Sequence, residues 1–366
     1  MSVDDARRVI RRALAAGVFP AATFDVGSSA SPLWSDAFGT DLQTPFDLAS
    51  LTKVIATTTV VMELVLTGAL RLEEPVSAFF GEWRGTDREA VTVRDLLEHA
   101  SGLPARLVDA PPAGRREFEH DICGTPLEYA PRTRSIYSDL GFILLGFLAA
   151  DRGGASLDTQ FDRVMVRLKP DATDRDPSGV RLQPNRDPSG VRLQPDLLTF
   201  DLPPAARRLA APTQPVDADS RRGRLLAGEV HDTYAMALGG VAGHAGLFGT
   251  APAVGTFARA VLRASRGDGS VPSPFSPEIV AAFTARSSVP GSSRALGWDT
   301  MLPTSSCGAG LSPRAFGHAG YTGTSLWIDP VRDRYFVLLT NRVHGGGTLD
   351  DMRTVRRAFH DALTDL

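Results

Sequence analysis

The strand-like segments of this chain sit at its two ends, and the stretch between them reads as helix and loop. AATFDVG (21–27) and SPLWSDAFG (31–39), joined by a Gly-Ser-Ser turn, have the pattern of a β-hairpin. Comparable patterns return only in ALGWDTML (295–302), AFGHAGYTG (315–323), SLWIDP (325–330) and RYFVLLTN (334–341). Strands so far apart pair best in one antiparallel sheet built from both ends, with a helical region inserted between them. The expected regions are 1–66 with 291–366 for the sheet and 67–290 for the mostly helical part. Terminal helices should flank the sheet. Ala6, Val9, Ile10 and Leu14 share one face of a helix that Ser2 can cap, and Met352, Val355, Phe359 and Leu363 share a face of one starting at Thr348.

The arginines near the N-terminus, followed by ALAAGVFPAATF, imitate a signal peptide only loosely. Asp4 and Asp5 sit in the basic part, and Gly17 and Pro20 interrupt the apolar part, so a mature helix is the better reading. The longest apolar stretch elsewhere, Val54 to Leu70, contains Glu63 and several threonines, too polar for a bilayer. A cytoplasmic protein is expected. A formal charge of -3 without long runs of one sign gives no footprint for nucleic acid or an anionic membrane. Cys123 and Cys307 can form neither a disulfide framework nor a C-x-x-C metal or redox site. RDPSGVRLQP occurs twice in tandem within 175–196; two copies cannot make a solenoid, and their Pro, Gly and Arg content fits an exposed loop.

Of the 39 basic residues 37 are arginine, leaving only Lys53 and Lys169. Arginine holds its proton at any ordinary pH, whereas a desolvated lysine can act as a base, so a retained lysine draws notice. Lys169 precedes Pro170 at an apparent helix end and reads as surface. Lys53 ends Ser50-Leu51-Thr52-Lys53, at the start of a helix expected from about Ser50 to Thr67, stopping at Gly68. A separation of three places hydroxyl and amine on one face, close enough for the amine to take the serine proton. The helix start favours an alkoxide there, and the free N–H of Ser50 can bind an oxyanion. Against this stands a capping serine beside an unrelated surface lysine.

G-x-S-x-G, G-x-x-x-x-G-K-[ST] and H-E-x-x-H are all absent, and GGVAGHAGLFG (239–249) reads as a close-packed loop and helix rather than a dinucleotide cradle. Two more segments join Ser50 and Lys53. Tyr137-Ser138-Asp139 precedes the apolar LGFILLGFL, where the tyrosine can share a proton with Lys53. His318-Ala319-Gly320 lies on an expected edge strand, where Gly320 lets substrate approach the backbone.

With these segments in place, the chain resembles the serine β-lactamase and penicillin-binding protein superfamily. The likeness is to the branch of class C-like β-lactamases, D-alanyl-D-alanine carboxypeptidases and family VIII esterases. It runs through GVFPAATF, DLASLTKVIATT, LLEHASGLP, PLEYAPRTRSIYSDLGFILLG, GEVHDTYAMALGGVAGHAGLFGT, GHAGYTGTSLWIDP and VLLTNRVH. The resemblance implies an α+β fold with a five-stranded antiparallel sheet, terminal helices and an inserted helical subdomain, and no metal or organic cofactor. It also implies Ser50 as acylated nucleophile, Lys53 and Tyr137 as the proton-transfer pair, the N–H groups of Ser50 and Tyr321 as oxyanion hole, and His318-Ala319-Gly320 in place of Lys-Thr-Gly.

Two departures bear on substrate. Asp139 replaces the usual asparagine of Tyr-x-Asn, turning an amide donor into a carboxylate that repels anions, and His318 replaces a lysine that would attract them. The expected activity is therefore that of a serine hydrolase forming an acyl-enzyme on Ser50, an esterase acting on small neutral esters. A D-amino-acid peptidase or weak β-lactamase is the alternative within the class, and a catalytically silent binding module with the same fold is the alternative outside it. The partner is a small-molecule ester or amide; oligomeric state stays open.

Overall fold

In the computed structural model, residues 2–108, 110–168 and 197–364 are described. The segment holding Lys169 and the tandem repeat lies outside them. Among the described residues nine strands form two sheets: β1 (Ala22–Gly27), β2 (Pro32–Phe38), β3 (Phe46–Asp47), β4 (Leu198–Thr199), β5 (Phe248–Gly249), β6 (Asp299–Thr300), β7 (Phe316–Ala319), β8 (Ser325–Asp329) and β9 (Arg334–Thr340). The large sheet has the antiparallel order β2-β1-β9-β8-β7-β6, joining the two ends of the chain through β1 and β9. The small one runs β3-β5-β4.

β9 shows why the C-terminal strands read as continuous apolar runs: the sheet is covered on both faces. Phe336 and Leu338 point to the layer formed by the first helix, Val3–Ala15, and the last, Leu349–Leu363, where they meet Ile10, Met352 and Phe359. Tyr335, Val337 and Leu339 point the other way, into the core holding Val254, Phe257 and Val261 of helix Ala251–Ser265. Both terminal helices start as their sequences require. Ser2 Oγ accepts from Asp5 N–H, and Thr348 forms a capping box with Asp351.

The sheet has six strands where five were expected, because the two-residue β6 pairs with Phe316 and Gly317. ALGWDTML contributes so little strand because Gly297, at φ +86°, bends the chain and sends its N–H to the Leu97 carbonyl. β6 stops short of His318 and Ala319, so those two positions stay open on that side. Inside the helical region, Asp139–Gly153 is buried from Asp139 through Ala149. Gly146 lies back to back with Gly243, whose Cβ would sit 1.9 Å from the Phe142 carbonyl, so GGVAGHAGLFG is close-packed as its composition implies. It runs as loop into β5 rather than as helix. Among the described residues no single helix is long and apolar enough to cross a membrane.

Candidate active site

Ser50 follows an unusual turn. Ala49, a non-glycine residue, is held at φ +47°, and its N–H donates to Asp47 Oδ1 at 2.8 Å. Asp47 Oδ2 accepts from the His231 N–H at 2.7 Å, so this buried carboxylate ties together two segments at the site. Burial raises its pKa to about 6, above that of an ordinary aspartate. Leu51 and Thr52 begin the helix with bonds to the carbonyls three residues back; Lys53–Thr57 then forms one π-helical turn, and Thr58–Leu66 continues as α-helix.

Lys53 is fully buried. Its Nζ donates to Tyr137 Oη at 2.6 Å, Asp139 Oδ1 at 2.7 Å, the His244 carbonyl at 3.2 Å and Ser50 Oγ at 3.2 Å. Tyr137 Oη in turn donates to Ser50 Oγ at 2.7 Å. Tyr137 and Asp139 reach one amine because they flank Ser138, the cap of helix Asp139–Gly153. Its Oγ accepts from Gly141 N–H and donates to the Pro104 carbonyl. Ser50 with Lys53 and Tyr137 with Asp139, two pairs far apart in sequence, thus form one hydrogen-bonded group.

Burial works against a charged amine on Lys53, but the Asp139 carboxylate and the Tyr137 phenol outweigh it and raise its pKa above the ordinary lysine value. For Tyr137, burial prevails over the nearby ammonium and raises its pKa. Asp139 is held below the usual carboxylate range: burial opposes its charge, and Lys53 more than offsets this. The resting site therefore holds an ammonium, a neutral phenol and a carboxylate. This corrects the picture of Asp139 as a bare negative charge, since Lys53 and Arg106 Nη1, 3.1 Å from its Oδ2, both face it. Arg106 Nη1 also reaches Asp232 Oδ2 at 2.9 Å, and Asp232 Oδ1 lies 2.8 Å from His244 Nε2. Asp139, Asp232 and His244 are near enough to share a metal ion, but Arg106 bridges the two carboxylates and Lys53 holds the free oxygen of Asp139. The arrangement is that of an ion-pair network.

A cavity of about 470 Å³ opens over Ser50, Tyr137 and Asp139. Ala105, Val216 and Tyr321 line it together with Asp47, Arg106, His231, Asp232 and His244. Tyr321 is about half exposed and stacks on His231, with ring centroids 5.8 Å apart. Among the described residues neither the Ser50 nor the Tyr321 N–H donates to another group.

His318 and Gly320 sit differently from the sequence reading. His318 is 3 % exposed and lies against the Tyr137 ring, with centroids 5.9 Å apart. Burial, with Arg294 and Lys53 nearby, drives its pKa well below the ordinary histidine value, so the ring is neutral. Its Nδ1 is 2.8 Å from the Ala319 carbonyl and donates to it. At Gly320 the close approach is made by the protein itself: a Cβ would lie 2.1 Å from Thr324 Oγ1 and 2.6 Å from the Leu48 carbonyl. Glycine is required there to seat the 320–324 turn against the segment that carries Ser50. Arg106, Asp232 and His244 were not singled out beforehand. The last two lie in GEVHDTYAMALGGVAGHAGLFGT, and no spacing within that stretch marks them, because a loop and not a helix brings them together.

The β-lactamase family model matches residues 6–360. This chain belongs to the beta-lactamase family. A protein named as a putative D-alanyl-D-alanine carboxypeptidase of Escherichia coli K12 is 31 % identical over 324 residues, covering 82 % of this chain and 70 % of the relative. Among solved structures, a class C β-lactamase of Rhodobacter sphaeroides superposes with TM-score 0.72 at 18 % identity, over 99 % of each chain. EstCE1, described as a hydrolase with promiscuous acyltransferase activity, gives 0.73 at 16 %, over 99 % of this chain and 98 % of its own. These likenesses show the fold of the beta-lactamase family, whose members are serine hydrolases.

Proposed function

We propose that this beta-lactamase-family chain is an esterase that acts on small neutral esters through an acyl-enzyme on Ser50. The observation that carries this reading is the contact of Ser50 Oγ with both Tyr137 Oη, at 2.7 Å, and Lys53 Nζ, at 3.2 Å, on the floor of a cavity. Once Lys53 has given up its proton to solvent, the free amine accepts the Ser50 proton directly or through Tyr137, and Asp139, 2.7 Å from Nζ, stabilises the ammonium that forms. Ser50 Oγ then bonds to the carbonyl carbon, and the N–H groups of Ser50 and Tyr321 receive the oxyanion. The proton returns to the leaving alcohol, and water releases the acid by the same route.

The choice of neutral substrates follows from charge. Asp47, Asp139 and Asp232 line the cavity itself with Arg106, while Lys53, Arg294 and Arg342 stand behind its wall and His318 contributes no charge. An anionic ligand is disfavoured in such a field. A second reading, a D-amino-acid peptidase, draws on the names of the sequence relatives.

A fluorophosphonate probe should label the wild-type protein and not Ser50→Ala. Lys53→Arg, which keeps a charge but cannot accept a proton, should hydrolyse p-nitrophenyl butyrate at least ~1,000-fold more slowly while remaining folded. Undiminished turnover in Lys53→Arg removes the amine from the mechanism. Turnover of D-alanyl-D-alanine above that of the ester favours the second reading.

A further inference from the structure

Arg356, on the last helix, stands behind the 320–324 turn and is 7 % exposed. Among the described residues no carboxylate offsets its charge, and the neighbouring charge, Arg342, is of the same sign. A buried cation without a counter-ion is costly unless hydrogen bonds satisfy it. Its Nη2 donates to the Gly320 carbonyl at 2.7 Å and to the Thr324 carbonyl at 2.8 Å. Arg342 completes the arrangement, with Nη2 2.6 Å from the Tyr321 carbonyl.

The Gly320 carbonyl and the Tyr321 N–H belong to one peptide group. A cation bonded to the oxygen of a planar amide draws electrons from the nitrogen side and makes the N–H a stronger donor, besides fixing the plane. That peptide lies against the nucleophile segment. Gly320 has room for no Cβ beside the Leu48 carbonyl, and the Thr322 and Thr324 hydroxyls donate to the carbonyls of Asp47 and Leu48. A turn that needed only its carbonyls satisfied could use a neutral donor. Gly323 N–H already serves Gly320 in that way, at 3.1 Å.

We propose that Arg356 is a positioning residue of the oxyanion site, aiming and polarising the Gly320–Tyr321 peptide toward the oxygen that becomes negative when Ser50 adds to the substrate carbonyl. The inference rests on the acyl-enzyme reading above. In that step Ser50 Oγ bonds to carbon, the carbonyl π pair moves to oxygen, and the serine proton leaves toward Tyr137 and Lys53. Arg356 touches neither substrate nor proton. It acts through the peptide, so its effect grows with the charge on the oxygen and is small for the bound ester.

The test uses the full-length protein with Arg356→Gln, which keeps an amide donor and loses the charge. Steady-state kinetics with p-nitrophenyl butyrate are paired with inhibition by phenylboronic acid, which adds to serine as a tetrahedral anion. The expected result is a fall in kcat on the order of 30-fold, a matching loss of boronate affinity and a KM within about threefold of wild type. A folded variant with kcat and boronate affinity unchanged, or with only KM raised, overturns the proposal. If Arg356→Gln does not fold, Arg356→Lys decides: a parallel loss in kcat and boronate affinity, smaller than tenfold because the charge is kept, supports the role, and no loss in either overturns it. Labelling by fluorophosphonate separates the premises. A wild-type protein that is not labelled overturns the acyl-enzyme reading and this proposal together, whereas labelling with unchanged kinetics in the variants overturns the role of Arg356 alone.

Discussion

Substituting Asp139 by Asn removes one negative charge close to Ser50 and leaves the side-chain shape nearly intact. Lys53 Nζ lies 2.7 Å from Asp139 Oδ1 and 3.2 Å from Ser50 Oγ, so laying the two hydrogen bonds end to end puts the carboxylate roughly 6 Å or less from the nucleophile. The carboxylate of a β-lactam bound at Ser50 would be a few ångströms farther out. At about 8 Å and an effective dielectric near 20, two unit charges interact by about 2 kcal/mol, and each 1.4 kcal/mol is tenfold. A neutral ester feels none of this. The substitution also removes the counter-charge of the Lys53 ammonium, which changes the rate with both substrates, but that change cancels in a ratio. Measured side by side, kcat/KM for nitrocefin relative to p-nitrophenyl butyrate should therefore rise about 10- to 30-fold in Asp139→Asn. A flat ratio would show that Lys53 and Arg106 already neutralise the carboxylate as seen from the cavity, and that cavity shape governs the choice.

His360 is fully buried against Phe336 and Phe359, and burial with the nearby Arg356 lowers its pKa to about 3. Below pH 6.5 the unfolded chain binds a proton that the folded form refuses, so stability falls as the solution is acidified, by about 2 kcal/mol at pH 5. His360→Leu should abolish that part of the loss, seen as a smaller shift of the urea midpoint between pH 7 and pH 5, and equal shifts would count against it. Gly320→Ala should lower stability by about 1–3 kcal/mol and reduce ester turnover, because its Cβ meets the Leu48 carbonyl and Thr324 Oγ1; an unchanged melting temperature would show that the turn yields easily.

Periodicity revealed most of the framework. The hairpin, the long C-terminal strands and both terminal helices follow from apolar spacing and caps, because each buries a repeating face. ALGWDTML does hold a strand, but its shortness is not legible, because alternation cannot show that Gly297 takes a positive φ. At the site, the scarcity of lysine singled out Lys53, and a three-residue helical spacing tied it to Ser50. Asp139 was visible as a residue but not as an ion pair, since its partners Lys53 and Arg106 come from segments 86 and 33 residues earlier. The reason for Gly320 was hidden in the same way. A glycine that admits substrate and one that admits the protein's own carbonyl look alike in a sequence.

The pairing of β1 with β9 sets a timetable for biosynthesis. Ala22 lies opposite Thr340, so the hairpin has no partner for its inner edge until the chain through β9 has been made. At roughly 5–20 residues per second, the intervening synthesis takes on the order of 15–60 s. Throughout that interval Phe24 and Val26 lack the strand and the helix that cover them in the finished protein. Nascent chains stalled before β9 should therefore be sensitive to protease and in need of chaperones, even where the helical core has already condensed.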